Sequence, residues 1–110
     1  MNRDREKLME IQRCCLRIMS QCDNIQNVRK ELRDNLTFQE SILFNLIQIG
    51  ENVNRLSDEF IEAHSEIPWR DIVGMRNIIT HGYGSVDIDA IAEAIKHDVP
   101  ELYNRCIIFI

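Results

Sequence analysis

Apolar residues recur at intervals of three and four positions along the first quarter of the chain. The positions are Leu8, Ile11, Cys15, Ile18, Cys22 and Ile25. This spacing places the side chains on one stripe of an α-helix, whereas a half-buried strand requires alternation at every second position. Only two prolines and four glycines occur in 110 residues, so little interrupts helices elsewhere. The sequence therefore predicts an all-α fold, with residues 1–110 forming a single domain.

Local signals predict where further helices begin. Thr37 followed by Glu40 has the form of a capping box, which predicts the start of a second helix. Ser57 and Asp87 are predicted to cap later helices, and Pro68 suits the first position of another. The second helix has a wide apolar face and is expected to be the central one of the bundle. That face comprises Ile42, Leu43, Leu46, Ile47, Ile49, Gly50, Val53 and Leu56.

Other stretches are less regular. The pattern weakens over residues 27–35, which either continue the first helix or form a charged connector. The helix that starts near Pro68 is expected to be anchored in the core by Trp69 and to end around Gly82, because glycine readily adopts the left-handed conformation that closes helices. Pro100 predicts a kink or a restart in the last helix. The apolar C-terminus needs cover from the core or from a second subunit.

Charge is unevenly distributed along the chain. The formal net charge is -5, and residues 1–35 carry +2 while the remainder carries -7. An acidic remainder argues against broad, non-specific binding to nucleic acid, and no DNA partner is expected. A local pocket for one phosphate is compatible with this balance.

The four cysteines, Cys14, Cys15, Cys22 and Cys106, form no CxxC pair and have no histidine at zinc-finger spacing. We interpret them as reduced, with no metal site and no cofactor predicted. No signal peptide opens the chain, and no apolar run approaches the roughly 20 residues that a membrane span requires. A cytoplasmic protein without membrane contact is expected.

The segment from Arg76 to Tyr83 concentrates side chains that bind phosphate and move protons near neutral pH. On one helix, Arg76 and His81 would be about 140° apart in projection and about 7.5 Å apart along the axis. A two-fold axis between two such helices would gather two copies of each residue, so we expect a composite site in a homodimer. Two imidazoles and an arginine supply a base, an acid and a cation for RNA cleavage without metal, with Asn77 beside them.

Spacing alone leaves a structural alternative open. In that alternative Arg76 makes a buried ion pair, His81 caps helix carbonyls and Tyr83 packs. Glu51 on the second helix also has two interpretations. It either forms an exposed pair with Arg55 at i+4 or acts as a supporting carboxylate that orients Arg76.

The chain resembles the HepT-like branch of the HEPN family. The resemblance rests on an Arg-x4-His-x-Tyr motif formed by Arg76, His81 and Tyr83, and on the surrounding sequence. The surrounding matches are Ile49-Gly50-Glu51, His64-Ser65-Glu66-Ile67-Pro68-Trp69-Arg70, Gly74-Met75-Arg76-Asn77 and Val86-Asp87. Two positions, Gly84 and Ala92, depart from the family pattern.

The resemblance implies a HEPN-type bundle of four to five helices that dimerises through the motif helices. It implies the ribonuclease toxin of a type VII toxin–antitoxin pair, with catalytic residues at Arg76, Asn77 and His81. The implied partner is a minimal nucleotidyltransferase antitoxin that AMPylates Tyr83, which Gly82 and Gly84 leave accessible. The alternative function is a non-catalytic nucleotide-binding module that serves as partner and substrate of the nucleotidyltransferase.

Overall fold

The computed structural model describes residues 2–74 and 87–109, which form helices and contain no strand. In chain order the helices are α1 (Asn2–Cys22), α2 (Val28–Asp34), α3 (Leu36–Asn54), α4 (Asp58–Ala63), α5 (helical at 69–74), α6 (Ile88–Glu93) and α7 (Val99–Phe109). A π-helical turn, Ala94–Asp98, joins α6 to α7. The predicted all-α fold is confirmed. Within the described ranges, no helix has the length and apolar character needed to cross a membrane.

Helix α1 packs against both α3 and α7, the other long helices of the described chain. Its predicted stripe is buried from Leu8 to Ile18, and Cys22 is the last residue of the helix, so Ile25 lies in the turn beyond it. Cys14, just off the stripe, is also fully buried, because α1 has two neighbours and needs a wider apolar face. Helix α3, expected to be the central one, is likewise flanked on two sides, by α1 and α2. The apolar face of α3 is wide because it covers both α1 and α2.

Two polar contacts show that α1 and α3 run antiparallel. Near the start of α1, the Asp4 carboxylate accepts hydrogen bonds from Ser57 Oγ at 2.7 Å and Ser57 N at 2.9 Å, just past the end of α3. Near the end of α1, Gln21 Nε2 donates to Ser41 Oγ at 2.6 Å, early in α3. The helices are thus tied at both ends of their shared seam.

Asn35 separates α2 from α3 and corrects the predicted capping box. Its Oδ1 accepts the Phe38 N–H at 3.1 Å, and its own N–H donates to Glu31 O at 2.9 Å. Thr37 consequently lies inside the first turn of α3, and the predicted start at Thr37 with Glu40 is wrong. Asparagine caps at least as well as threonine and stands at the position where the chain is extended.

Residues 27–35 form a helix of their own rather than a continuation of α1 or an irregular connector. Asn27 caps α2 by accepting the Lys30 N–H at 3.1 Å. Leu32 is fully buried and fastens the short helix to the core. Gln39 Nε2 donates to Leu32 O at 2.8 Å and closes the corner between α2 and α3.

The interruption predicted at Pro100 takes the form of the π-helical turn. Val99 N–H donates to Ala94 O, five residues earlier. Proline lacks the N–H that an α-helix requires, and the π-helical turn ends two residues before Pro100. Helix α7 then continues, and the departure position Ala92 is buried before it in α6.

Candidate active site

The residues to which the sequence assigns the chemistry, Arg76, Asn77, His81 and Tyr83, lie outside the described residues. Their roles therefore remain predictions, as does the helix end expected at Gly82. The described ranges end at Gly74 and resume at Asp87. The structure thus describes the two segments that flank the motif in sequence, one ending at Gly74 and one beginning at Asp87.

Trp69 anchors the flank that leads into the motif, as predicted. Its side chain is 6% exposed, and its Nε1–H donates to the carbonyl oxygen of His64 at 3.0 Å. Backbone N–H groups of Trp69 and Ile72 donate to Ile67 O at 2.8 Å and to Pro68 O at 3.2 Å, which forms the first turn of α5. The indole therefore fixes the start of the helical segment that reaches Gly74.

An aromatic cluster packs next to Trp69. Phe60 lies 6.0 Å from Trp69 and 5.3 Å edge-to-face from Phe109, measured between ring centroids. The His64 imidazole packs against Phe60 at 4.4 Å and Phe109 at 4.2 Å. His64 is also the C-cap of α4, so its imidazole packs on the aromatic cluster at the end of that helix.

The flank that follows the motif is fixed by a cap and a charge pair. Asp87 Oδ1 accepts the Ala90 N–H at 3.0 Å, which confirms the predicted cap of α6. Arg29 of α2 donates from Nε to Asp89 Oδ1 at 2.9 Å and from Nη2 to Glu93 Oε2 at 3.3 Å. One guanidinium therefore holds α6 against α2.

Glu51 lies half-buried on α3, where its Oε2 is 3.8 Å from Arg55 Nη2. That distance is long, and the Arg55 side chain is 65% exposed. Such an exposed i,i+4 pair contributes only a few tenths of a kcal/mol. The predicted pair between Glu51 and Arg55 is therefore present. The role of Glu51 in orienting Arg76 remains a prediction.

An open groove lies beside the end of α5, between α3 and α4. Its volume is about 410 Å³ and Gly74 forms part of its wall. Buried side chains of Val53, Leu56 and Trp69 form its apolar floor, and Arg70 is an exposed cation on its rim. Among residues 2–74 and 87–109, no atom lies within 4 Å of a Cβ built on Gly74. The groove therefore leaves open space next to the residue that leads into the motif.

A smaller cavity of about 100 Å³ between α5 and α7 is lined by three carboxylates and an arginine beside apolar side chains, a feature that the sequence did not reveal. Asp71, Asp98 and Glu101 line it together with Arg105, whose Nη2 is 3.5 Å from Glu101 Oε1. Burial, then the charge of Glu101, raises the pKa of Asp98. Residues 71 and 98 are far apart in sequence, so only the fold brings them together. Across residues 2–74 and 87–109, no three His, Cys, Asp or Glu side chains are arranged to hold a metal ion.

The cysteines are free, as predicted, and three of the four are buried. Burial raises the pKa of the Cys106 thiol to about 12, and burial followed by the proximity of Cys106 raises the pKa of Cys15 still further. A thiol that stays protonated is a poor nucleophile. These cysteines therefore serve as small apolar core residues.

A family model described as "Ribonuclease HepT-like" matches residues 7–107. A protein of Caldanaerobacter subterraneus, named as a candidate RNase, is 46% identical over 57 residues, which are 52% of this chain and 51% of that protein. A protein of Thermococcus cleftensis, named probable ribonuclease HepT, is 34% identical over 67 residues, or 61% of each chain.

A candidate RNase of Methanocaldococcus jannaschii is 29% identical over 90 residues, covering 77% of this chain and 78% of the relative. The alignments with the first two relatives thus span about half to three fifths of their lengths. No solved structure matches the chain.

Proposed function

Because this chain belongs to the HepT-like ribonuclease family, we propose that it is the toxin of a toxin–antitoxin pair and acts as a metal-independent endoribonuclease in the cytoplasm. The observation that carries the proposal is the family match over residues 7–107, which includes the whole Arg76-to-Tyr83 segment. The names of three relatives as ribonucleases support the same activity.

The proposed reaction uses the 2′-hydroxyl of RNA as its nucleophile. One His81 imidazole takes the proton from that hydroxyl while the 2′ oxygen attacks phosphorus. The bond to the 5′ oxygen breaks, and a second imidazole, in its protonated form, donates a proton to the leaving oxygen. Arg76 stabilises the charge that develops on the phosphoryl oxygens, and Asn77 donates a hydrogen bond there. The products are a 2′,3′-cyclic phosphate and a 5′-hydroxyl.

This mechanism needs two imidazoles, and the motif offers one per chain. We therefore propose a homodimer in which each chain contributes Arg76 and His81 to a shared site. Within each chain, Trp69 and Asp87 fix the segments on either side of the motif. Glu51 is proposed to orient Arg76 from α3.

Cleavage of a defined RNA in excess chelator tests the proposal. Wild-type protein should produce 2′,3′-cyclic ends, whereas Arg76→Ala and His81→Ala should lose cleavage by about two to four orders of magnitude. His97→Ala is the matched control, because His97 is an exposed histidine on the described surface. Equal activity in His81→Ala and His97→Ala would refute the catalytic role, and activity that disappears with chelator would refute metal independence.

Neutralisation is proposed to occur by AMPylation of Tyr83 by a nucleotidyltransferase antitoxin. In that reaction Tyr83 Oη attacks the α-phosphorus of ATP, pyrophosphate leaves and the phenol loses its proton. The glycines at 82 and 84 support access to the phenol, because they leave it without bulky neighbours in sequence. Intact mass measured after incubation with the antitoxin and ATP should rise by one or more AMP units, in Tyr103→Phe as in wild type. A gain that persists in Tyr83→Phe would refute the site.

The acidic balance of the chain favours a second candidate function. In this function, which the net charge of -5 favours over RNA binding, the chain is a non-catalytic module that is only the partner and substrate of the nucleotidyltransferase. It predicts AMP transfer to Tyr83 in a protein that cleaves no RNA. The two assays above, performed on the same preparation, separate these functions.

A further inference from the structure

A second groove follows the seam between α1 and α3, and we call it the α1–α3 groove. Its volume is about 450 Å³, within the range of ligand sites. Helix α1 contributes two arginines, a serine, a glutamine and a leucine, and α3 contributes a serine and an asparagine. These residues are Arg13, Leu16, Arg17, Ser20, Gln21, Ser41 and Asn45.

The cations of the groove are incompletely neutralised. Arg13 donates to Glu10 Oε2 from Nη2 at 2.7 Å and from Nε at 3.0 Å. Arg17 is 3.8 Å from the other oxygen of the same carboxylate, and both arginine side chains are 53% exposed. Two guanidinium groups share one carboxylate, so a net positive charge is left at this end of the groove.

Arg13 and Arg17 are one helical turn apart, about 6 Å along the axis. Successive phosphates of an extended nucleic-acid strand are spaced over a comparable distance. The spacing of the two cations therefore matches that of successive phosphates in a phosphodiester backbone, and a single anion would not use both.

The middle of the groove is lined by amides and hydroxyls. Gln21 Nε2 donates to Ser41 Oγ, and Asn45 Nδ2 donates to Ser41 O at 2.9 Å. Asn45 is only 5% exposed, and its Oδ1 has no hydrogen-bond partner within the described ranges. A buried acceptor without a partner is unfavourable, which indicates that this polar network is incomplete.

An exposed aromatic ring lies on α3, next in sequence to a residue of the groove, but is not itself part of the groove lining. Phe44 is 59% exposed and is the i+3 neighbour of Ser41 on the surface of α3. Leu16, 47% exposed, lies on the facing helix. Cations for phosphate, amides for base edges and an exposed ring for stacking are the combination by which single-stranded RNA is recognised.

We propose that the α1–α3 groove binds a short single-stranded stretch of RNA outside the cleavage site. Arg13 and Arg17 contact successive phosphates, Phe44 stacks on a base, and Gln21 with Ser41 bonds to base edges. The local charge favours RNA at this face, because two arginines share the single carboxylate of Glu10. An acidic peptide would pair with the arginines but would not use the ring and the amides together. The inference rests on the proposed function, in which RNA is the substrate.

Binding is measured by fluorescence anisotropy with a labelled single-stranded 2′-O-methyl oligouridylate of about ten nucleotides, a typical site length for such proteins. The methyl group removes the nucleophile, so binding is observed without cleavage. The double variant Arg13→Gln, Arg17→Gln should bind at least tenfold more weakly. The slope of log K against log salt should become shallower by about 1.4, since each phosphate contact on a single strand contributes about 0.7. Phe44→Ala should weaken binding at least about fivefold at every salt concentration.

Two variants serve as matched controls. Arg33→Gln removes an exposed cation from α2, and Leu36→Ala truncates an exposed apolar side chain, 65% exposed, at the start of α3. Neither residue lines the groove. Both variants should bind the oligonucleotide as the wild type does, with the same salt slope.

The outcomes separate this inference from the proposed function. If the wild type cleaves RNA through His81 but the groove variants bind and cleave like the controls, the groove inference fails and the proposed function stands. If the groove variants alone lose binding while no protein cleaves RNA, the inference stands and the catalytic proposal fails. If RNA binding is unchanged in all variants but Phe44→Ala shifts self-association in sedimentation, the face is a protein interface and the inference is overturned.

Discussion

Replacing Trp69 tests whether burial of its ring holds the flank of the candidate site. Trp69→Ala removes a side chain that is 6% exposed, together with its contact to Phe60, and such truncations cost about 3–5 kcal/mol. Trp69→Phe keeps most of the ring and loses the hydrogen bond to the His64 carbonyl. That carbonyl still accepts the Ile67 N–H at 3.2 Å, so it is not left unpaired, and the cost should be about 1–2 kcal/mol.

Urea unfolding followed by far-UV circular dichroism gives both values at one fixed protein concentration. Fluorescence is unsuitable for the variants because Trp69 is the only tryptophan. Phe44→Ala, in which an exposed ring is truncated, is the control and should change the unfolding free energy by less than about 0.5 kcal/mol. The reasoning is refuted if Trp69→Phe costs as much as Trp69→Ala, because the hydrogen bond would then outweigh burial of the ring.

Further predictions concern the thiols and two carboxylates. In native protein at neutral pH, Ellman's reagent should modify the half-buried Cys22 first and leave Cys106 unreacted; rapid labelling of Cys106 would contradict its burial. Because the folded pKa of Cys106 is raised to about 12, the unfolding free energy should decrease as pH rises above about 9, where the unfolded thiol ionises. The raised folded pKa of Asp98 means that its charge disfavours folding above pH about 4, so Asp98→Asn should increase the melting temperature at neutral pH and not at pH about 2. Hydrogen bonds from Ser57 Oγ and N lower the pKa of Asp4; stability from this contact exists above pH about 4 and is lost in stronger acid, so Asp4→Asn should lower the melting temperature at neutral pH only. Thermal unfolding at the two pH values measures both carboxylate effects, and equal shifts at both pH values would contradict them.

The sequence predicts those parts of the fold that depend on interactions between residues close together in the chain. The stripe from Leu8 to Ile18 is local, and so are the caps at Ser57 and Asp87, because each involves residues three or four apart. The cap at Asn35 was missed because Thr37 two positions later carries an equally good local signal. Only the packing of Leu32 and the corner it forms decides between them.

Contacts that connect distant parts of the chain could not be predicted in the same way. Arg29 and Asp89 are 60 residues apart, and each reads as an ordinary exposed charge in its own helix. The α1–α3 groove was missed for the same reason, since Arg17 and Ser41 belong to two separate polar faces until the helices pack. For the candidate active site, the anchor at Trp69 was predicted, whereas the open groove beside Gly74 depends on three helices.

The π-helical turn at Ala94–Asp98 lets one length of chain face two different neighbours. It holds one more residue than an α-helical turn, and one residue corresponds to about 100° of rotation around the axis. The turn therefore shifts the helical phase: α6, which packs against α2, buries Ile91, and α7, which packs against α1, buries Cys106. Helix α6, which follows the candidate catalytic segment, and helix α7, which completes the core, thus have independent orientations around their axes. The buried face of either helix can therefore change in sequence without rotating the other.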